Sequence, residues 1–198
     1  MTVQPHPSPS AQGRSLTDVT DELVSELKEH ALIKKRVQLS SGQWASYYVD
    51  AKRVLLCQPG ASLVGRLVAA KASHCGATSV GGLTMGADPI VSAAIACDQV
   101  LTAFLVRKDR KPHGLERWIE GPQMNPGSRC LIVDDVVTSG GSVIDAVKRV
   151  REHGFEVAGV VAVVDRLAGG REAIEQAAGA AYTALTTIDD VYPDRPDR

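Results

Sequence analysis

Two adjacent carboxylates, Asp134 and Asp135, follow an apolar run and directly precede a turn rich in hydroxyl groups and glycine. The turn, residues 138–142, reads Thr-Ser-Gly-Gly-Ser and leads into a helical pattern. Such a turn presents free backbone N–H groups and the positive end of a helix dipole, which suit a phosphate. The acids end a predicted strand, where open α/β sheets bind ligands, and they need partners such as sugar hydroxyls or a metal. A phosphorylated sugar satisfies both halves.

A plainer interpretation of the same residues is an ordinary helix start, in which a serine or threonine of the turn caps the helix. A single acid before a glycine turn would favour that interpretation. Here the whole run, from the apolar residues through two acids to the turn, favours a ligand site.

The segment from Cys130 to Gly140 resembles the 5-phosphoribosyl 1-diphosphate (PRPP) motif of type I phosphoribosyltransferases. It has four apolar residues, two acids, two apolar residues and then Thr-Ser-Gly. The resemblance implies an α/β fold with a parallel sheet flanked by helices and a small N-terminal hood of helix and hairpin. It implies that Asp134 and Asp135 hold the ribose hydroxyls and act in catalysis. The further PRPP-binding residues it implies are Val136, Val137, Thr138, Ser139, Gly140, Gly141 and Ser142.

A concentrated positive segment follows another predicted strand. Residues 107–117 hold five lysines and arginines and one histidine. Most charge runs are solvated turns, and a nucleic-acid patch is a second interpretation, although single-strand binders also use interleaved aromatics. The loop is long for a compact domain, however, and long loops are often lids over a site.

This segment, Arg-Lys-x-x-Lys-x-His-Gly, narrows the resemblance to the orotate phosphoribosyltransferase family. There the loop closes over the diphosphate of PRPP across a homodimer interface. By resemblance, Arg107, Lys111 and His113 bind PRPP in the partner's site, and Lys108 binds it in its own. Lys108, Lys111 and His113 are then catalytic, because preorganised cations stabilise charge on a leaving diphosphate.

Arg166 ends the apolar run Val163-Val164-Asp165-Arg166. It could be a surface residue paired with Asp165. Alternatively, its planar donor fork recognises an acidic base, which a guanidinium suits well. The resemblance implies that Arg166 and Thr138 contact orotate.

Bulk properties exclude several classes of protein. The chain has 198 residues, 44% apolar content and a net charge of −1, which is typical of a globular protein without global attraction to nucleic acid or membranes. Its longest apolar run, 157–164, is too short to span a bilayer. Four widely spaced cysteines are predicted to be reduced and packed as small hydrophobes, as in a cytoplasmic protein.

The elements that must position these residues alternate between strands and helices, as in a parallel sheet covered on both faces. We expect a disordered tail, 1–14, and a single domain, 15–198, with a helix and hood at 15–58 and a PRPP-binding core at 59–198. A capping box at Ser15 to Asp18 opens the first helix, and a hairpin follows from Arg36 to Val49. Predicted core helices are 59–74, 88–97, 143–150 and 172–178; predicted core strands are 77–83, 100–106, 131–133, 157–164 and 181–186.

The resemblance implies phosphoribosyl transfer from PRPP to orotate, with Mg²⁺ carried mainly by PRPP and no direct protein ligand for the metal. Two alternatives remain open. One is transfer to another nucleobase, such as a purine. The other is a PRPP-sensing transcriptional regulator, which would need a nucleic-acid surface that the net charge does not favour.

Overall fold

The computed structural model describes residues 14–38, 44–109 and 118–198. The predicted tail lies outside these ranges except for Arg14, and so do Lys111 and His113. All statements below concern the described residues.

The core is one twisted sheet in the order β10-β9-β8-β5-β6-β7. All neighbours in it are parallel except the β6–β7 pair. The predicted parallel α/β sheet is therefore confirmed, and the carboxyl ends of its parallel strands meet at one edge. Its strands are β5 (Ser79–Leu83), β6 (Thr102–Val106), β7 (Ile119–Glu120), β8 (Arg129–Val137), β9 (Glu156–Asp165) and β10 (Tyr182–Thr187).

Helices cover both faces of this sheet, so the central strands are buried on both sides and consist largely of valine, isoleucine and leucine. One apolar core lies beneath the N-terminal helices and the other beneath the helix that follows β8. Among the described residues, none of the helices combines the length and the apolar character that crossing a bilayer requires. The helices are α1 (Leu16–Glu26), α2 (Lys52–Leu55), α3 (Gly60–Cys75), α4 (Asp88–Cys97), α5 (Gly141–Glu152), α6 (Gly170–Ala178) and α7 (Ile188–Val191).

The N-terminal addition begins with the predicted capping box. The Ser15 hydroxyl accepts from the Asp18 amide, and the Asp18 carboxylate accepts from the Ser15 amide, each at 3.1 Å. Val19 and Leu23 of α1 are buried, whereas Leu16, at the start of the helix, is 51% exposed. A π-helical turn, Leu27–Ala31, extends this helix.

The predicted hairpin consists of two short antiparallel pairs. β2 (Val37–Gln38) pairs with β3 (Trp44–Ala45), and β1 (Leu32–Ile33), which was not predicted, pairs with β4 (Tyr48–Val49). The prediction missed β1 because the helix leads into this strand without a break in the apolar pattern.

Three other predictions need correction. The strand that carries the acidic pair continues through it to Val137, so the carboxylates lie within the strand and not at its end. Between the predicted strands 100–106 and 131–133, where no strand was predicted, β7 pairs with β6. All four cysteines are free, but Cys57 and Cys97 are exposed and do not pack in the core as predicted.

Candidate active site

The acidic pair lies near the carboxyl end of the central strand β8. Asp134 and Asp135 are each only 8% exposed, because helices cover both faces of the sheet here. The Asp135 amide donates to Asp134 Oδ1 at 3.1 Å, and the Val136 amide donates to Asp135 Oδ1 at 2.9 Å. Burial, reinforced by repulsion from Asp135, raises the pKa of Asp134 to about 7. Two carboxyl groups are thus held close together in a site that disfavours a second negative charge.

The turn after β8 leaves the start of α5 without a side-chain cap. Its N-cap is Gly140, which has a left-handed backbone with φ +84°, and no side chain bonds to the first-turn amides. A Cβ on Gly140 would also meet Ile174 at 2.6 Å, so this position requires glycine. Plain capping by a serine or threonine is therefore wrong. Uncapped amides and the exposed Thr138 and Ser139 together offer an anion a set of donors.

The segment between β5 and α4 lies directly against the acids. A Cβ on Gly86 would come within 2.7 Å of Asp135 Oδ1 and 2.8 Å of Asp134 Oδ1. Glycine lets the backbone of this segment approach both carboxylates, which a side chain would prevent. The preceding peptide bond, Thr84–Met85, is cis, and the Thr84 hydroxyl donates to Asp88 at 2.8 Å.

Lys52, which the sequence analysis did not select, contacts the acidic pair from the hood side. Its Nζ lies 2.5 Å from Asp135 Oδ2. Burial lowers the pKa of Lys52, but the hydrogen bond and charge of Asp135 outweigh burial, so the pKa is raised. A lone lysine in a short helix has no motif around it, which explains why no sequence pattern pointed to it.

The basic segment leaves and rejoins the sheet beside this edge. The Arg107 amide donates to the Trp118 carbonyl at 2.8 Å, so the two ends of the segment are adjacent. The Arg107 guanidinium lies 3.4 Å from Glu120. Arg107 and Lys108 line a cavity of about 410 Å³ together with Thr84 and Met85, next to the loop that touches the acids.

Arg166 follows β9 and returns to the acidic strand, since its amide donates to the Val137 carbonyl at 2.9 Å. Its guanidinium lies over the Tyr47 ring, 5.1 Å from the centroid. Asp165 instead accepts from the Leu167 amide at 2.8 Å, and it forms no ion pair with Arg166 in the described structure. The surface-pair interpretation of Arg166 is therefore wrong.

The sheet edge thus gathers the acidic pair, the uncapped turn, Arg166, Arg107 and Lys108, all of which the sequence analysis selected. Sequence reasoning missed Lys52 and Tyr47, which come from the hood, and it assigned no role to Gly86. A phosphorylated sugar with a negatively charged leaving group fits this arrangement of acids, free amides and cations.

Comparison with known proteins identifies the fold and its relatives. Residues 81–178 match the model of the phosphoribosyl transferase domain. The orotate phosphoribosyltransferase of Streptomyces avermitilis is 45% identical, over 90% of this chain and 100% of its own length. That of Rhodopirellula baltica is 43% identical, over 85% of this chain and 91% of its own.

A solved structure gives the same result. The orotate phosphoribosyltransferase of Mycobacterium tuberculosis, in complex with PRPP, has a TM-score of 0.74 and 35% identity, covering 87% of this chain and 98% of that one. The similarity therefore extends over most of both chains, in sequence and in fold. This chain belongs to the orotate phosphoribosyltransferase family.

Proposed function

We propose that this chain transfers the phosphoribosyl group of PRPP to orotate, forming orotidine 5′-monophosphate and diphosphate in pyrimidine biosynthesis. The observation that carries the proposal is the buried acidic pair next to an uncapped helix start, in a chain 45% identical to an orotate phosphoribosyltransferase. In the reaction the bond from ribose C1 to the diphosphate oxygen breaks, a bond from C1 to orotate N1 forms, and the proton of N1 passes to the diphosphate or to solvent.

The acidic strand and its turn hold the ribose 5-phosphate half. Asp134 and Asp135 accept hydrogen bonds from the 2′ and 3′ hydroxyls and fix the ring for attack. Positive charge that develops on the ring is favoured by the two nearby carboxylates. The 5′-phosphate binds the turn from Val136 to Ser142, since the first-turn amides of α5 have no side-chain acceptor there.

The basic segment stabilises the leaving group. Lys108 binds the diphosphate in its own subunit, where it shares a cavity with Thr84 and Met85. Arg107 lines the same cavity, but the family resemblance implies that it acts with Lys111 and His113 in the site of the partner subunit. Negative charge grows on the diphosphate as the C1–O bond breaks, and fixed cations in a closed site stabilise it. The segment must open again to release product.

Arg166, together with Thr138, binds orotate. The guanidinium stacks on Tyr47, which is only 2% exposed, and this contact holds the donor fork at the edge of the acidic strand. A fork held in this way can form two parallel hydrogen bonds to the orotate carboxylate.

Arg166→Gln should therefore raise KM for orotate by about 10- to 100-fold while KM for PRPP changes by less than about threefold, because a charge-assisted pair is lost. Steady-state kinetics with each substrate varied in turn measure this. Arg171→Gln is the matched control, since Arg171 also lies over a tyrosine ring, that of Tyr182 at 4.9 Å. An equal rise in both KM values for the Arg166 variant would contradict an orotate-specific role.

Mg²⁺ fits the substrate of this site, because phosphate and hydroxyl oxygens are among the ligands it prefers. It neutralises part of the diphosphate charge when it is bound. We place it mainly on the diphosphate and ribose oxygens of PRPP, with no direct ligand from the protein.

The protein acts as a homodimer in the cytoplasm. Leu56 and Met85 are 69% and 68% exposed and line a mainly apolar cavity beside the acidic edge, a surface that a second subunit would cover. Four free cysteines suit a reducing compartment. Light scattering at assay concentration should give twice the mass of one chain, and a monomer that remains fully active would contradict the shared site.

The test of the proposed reaction is release of diphosphate from PRPP and Mg²⁺ that depends on orotate, together with an equal amount of orotidine 5′-monophosphate. Diphosphate without the nucleotide would indicate hydrolysis and would contradict the transfer.

A further inference from the structure

Lys52 is the cation that contacts the acidic pair. Its ammonium lies 2.5 Å from Asp135 Oδ2, whereas the other oxygen of that carboxylate faces Gly86 and accepts from the Val136 amide. Asp135 therefore stands between the ammonium and the backbone of the 84–87 segment. Lys52 is thus poised beside the segment that borders both carboxylates.

Lys52 also shares a cavity with Met85, a residue of the same 84–87 segment. Lys52 lines a cavity of about 560 Å³ with Met85 and Asp88, and it is the one cationic side chain among the described residues that do so. Met85 also lines the neighbouring cavity that holds Lys108. Both lysines thus line cavities that Met85 also lines, and residues 82–89 themselves contain no lysine or arginine.

The contact with Asp135 suits a site that awaits a ligand. Two adjacent, largely buried carboxylates need a counter-charge, and Lys52 supplies one from a side chain that is still 35% exposed. Sugar hydroxyls donate hydrogen bonds to carboxylate oxygens and thereby satisfy Asp135 in another way. An incoming diphosphate, which carries several negative charges, then attracts a flexible ammonium strongly.

We propose that Lys52 is a diphosphate-binding residue. In the ligand-free site its ammonium neutralises Asp135. When the ribose of PRPP occupies the acidic pair, the ammonium moves to the diphosphate. This inference rests on the proposed function, because it takes PRPP as the ligand. It adds a cation from the hood to those of the basic segment. No covalent step is involved, since the ammonium exchanges one anionic partner for another.

The alternative role for Lys52 is that of a fixed counter-ion, which only keeps Asp135 in place. The two roles differ in which half of PRPP they affect. A fixed counter-ion acts through the carboxylate and therefore on the ribose, whereas a diphosphate ligand acts on the leaving group. The two halves of PRPP can be offered separately, as Mg²⁺–diphosphate and as ribose 5-phosphate.

The test is calorimetric titration of the full chain and its Lys52→Gln and Lys52→Arg variants, first with ribose 5-phosphate and then with Mg²⁺–diphosphate while ribose 5-phosphate saturates the acidic pair. Lys52→Gln should weaken Mg²⁺–diphosphate binding at least about tenfold, because a charge-assisted contact is lost, and should change ribose 5-phosphate binding by less than about threefold. Lys52→Arg should restore most of the diphosphate affinity. The matched control is Arg53→Gln, a neighbouring cation whose guanidinium lies 3.6 Å from Asp50 and is 57% exposed.

If Lys52→Gln weakened the binding of both probes equally, or the binding of ribose 5-phosphate alone, Lys52 would be a fixed counter-ion and the proposal would be overturned. Unchanged diphosphate binding in Lys52→Gln would overturn it as well. Thermal unfolding of each variant shows whether it is folded. If Lys52→Gln is misfolded, the binding of both probes to Lys52→Arg is compared with their binding to the unmodified chain. Neither probe contains a base, so their binding does not depend on which base the enzyme uses. Failure of the orotate assay and failure of this inference are therefore distinguishable.

Discussion

Asp134→Asn is expected to make the ligand-free protein more stable and at the same time a much poorer enzyme. At about pH 8 the free energy of unfolding should rise by roughly 1–3 kcal/mol, because the variant no longer buries a charge next to Asp135. The side-chain oxygen of the introduced asparagine can still accept from the Asp135 amide, which donates to Asp134 Oδ1 in the unmodified chain. The value of kcat/KM for PRPP should fall about 100-fold or more, because a neutral amide holds the ribose hydroxyls and the developing positive charge less well.

The raised pKa of Asp134 predicts how the free energy of unfolding changes with pH. Burial and Asp135 raise the pKa of Asp134 from 3.8 to about 7 in the folded chain. Below about pH 4 the carboxyl is protonated in both the folded and the unfolded chain, so it leaves their balance unchanged. Between about pH 4 and 7 the unfolded chain has released this proton and the folded chain has not, so stability falls as pH rises.

Urea unfolding at a series of pH values measures this. The decline from this group between about pH 4 and 7 should disappear in Asp134→Asn and persist in Asp145→Asn, which changes a carboxylate of α5 outside the acidic pair. A variant that is less stable than the unmodified chain at every pH would contradict a cost of burying this charge.

Lys111→Ala should lower kcat by about 100- to 1,000-fold with little change in melting temperature, because one preorganised cation at a leaving group contributes on that scale. Lys111 lies outside the described residues, but the two ends of its segment are adjacent at the active-site edge, where the Arg107 amide bonds to the Trp118 carbonyl. The segment therefore departs from, and returns to, the edge that holds Asp134 and Asp135.

Lys148→Ala is the control for charge, since Lys148 is exposed on α5. Stopped-flow or steady-state kinetics give kcat, and calorimetry gives the melting temperature. Parallel losses of activity and melting temperature in Lys111→Ala would argue for a structural role. Mixing Lys111→Ala with a variant defective only in Asp135 would test the shared site, because hybrid dimers with one intact site should recover part of the activity.

Residues that belong to a recognisable sequence motif were predictable, and those in the short elements of the hood were not. The acids, the turn and α5 form one continuous strand-turn-helix unit, so the local pattern predicts both the structure and the anion site. The alternation of apolar strands and helices likewise predicts the parallel sheet. The bounds of the four predicted core helices were within about two residues, which is the usual uncertainty of helix ends, whereas the four-residue helices α2 and α7 were not predicted.

The missed residues, Lys52 and Tyr47, come from short elements of the hood. Lys52 begins a four-residue helix and Tyr47 precedes a two-residue strand, so neither element has enough length to establish a periodic pattern. Their partners, Asp135 and Arg166, lie far along the chain, 83 residues away in the case of Lys52 and Asp135. Only the tertiary packing of the hood on the sheet edge makes these pairs visible.

The most direct measurement of the proposed function is diphosphate release from PRPP and Mg²⁺ with orotate, uracil, adenine and hypoxanthine offered separately. We expect release with orotate alone, since the Arg166 fork suits the carboxylate that the other three bases lack. Release with a purine at a comparable rate would contradict the choice of base and leave the PRPP site intact. Tight binding of PRPP without diphosphate release in the presence of any base would contradict the enzymatic function and favour a PRPP-sensing regulator.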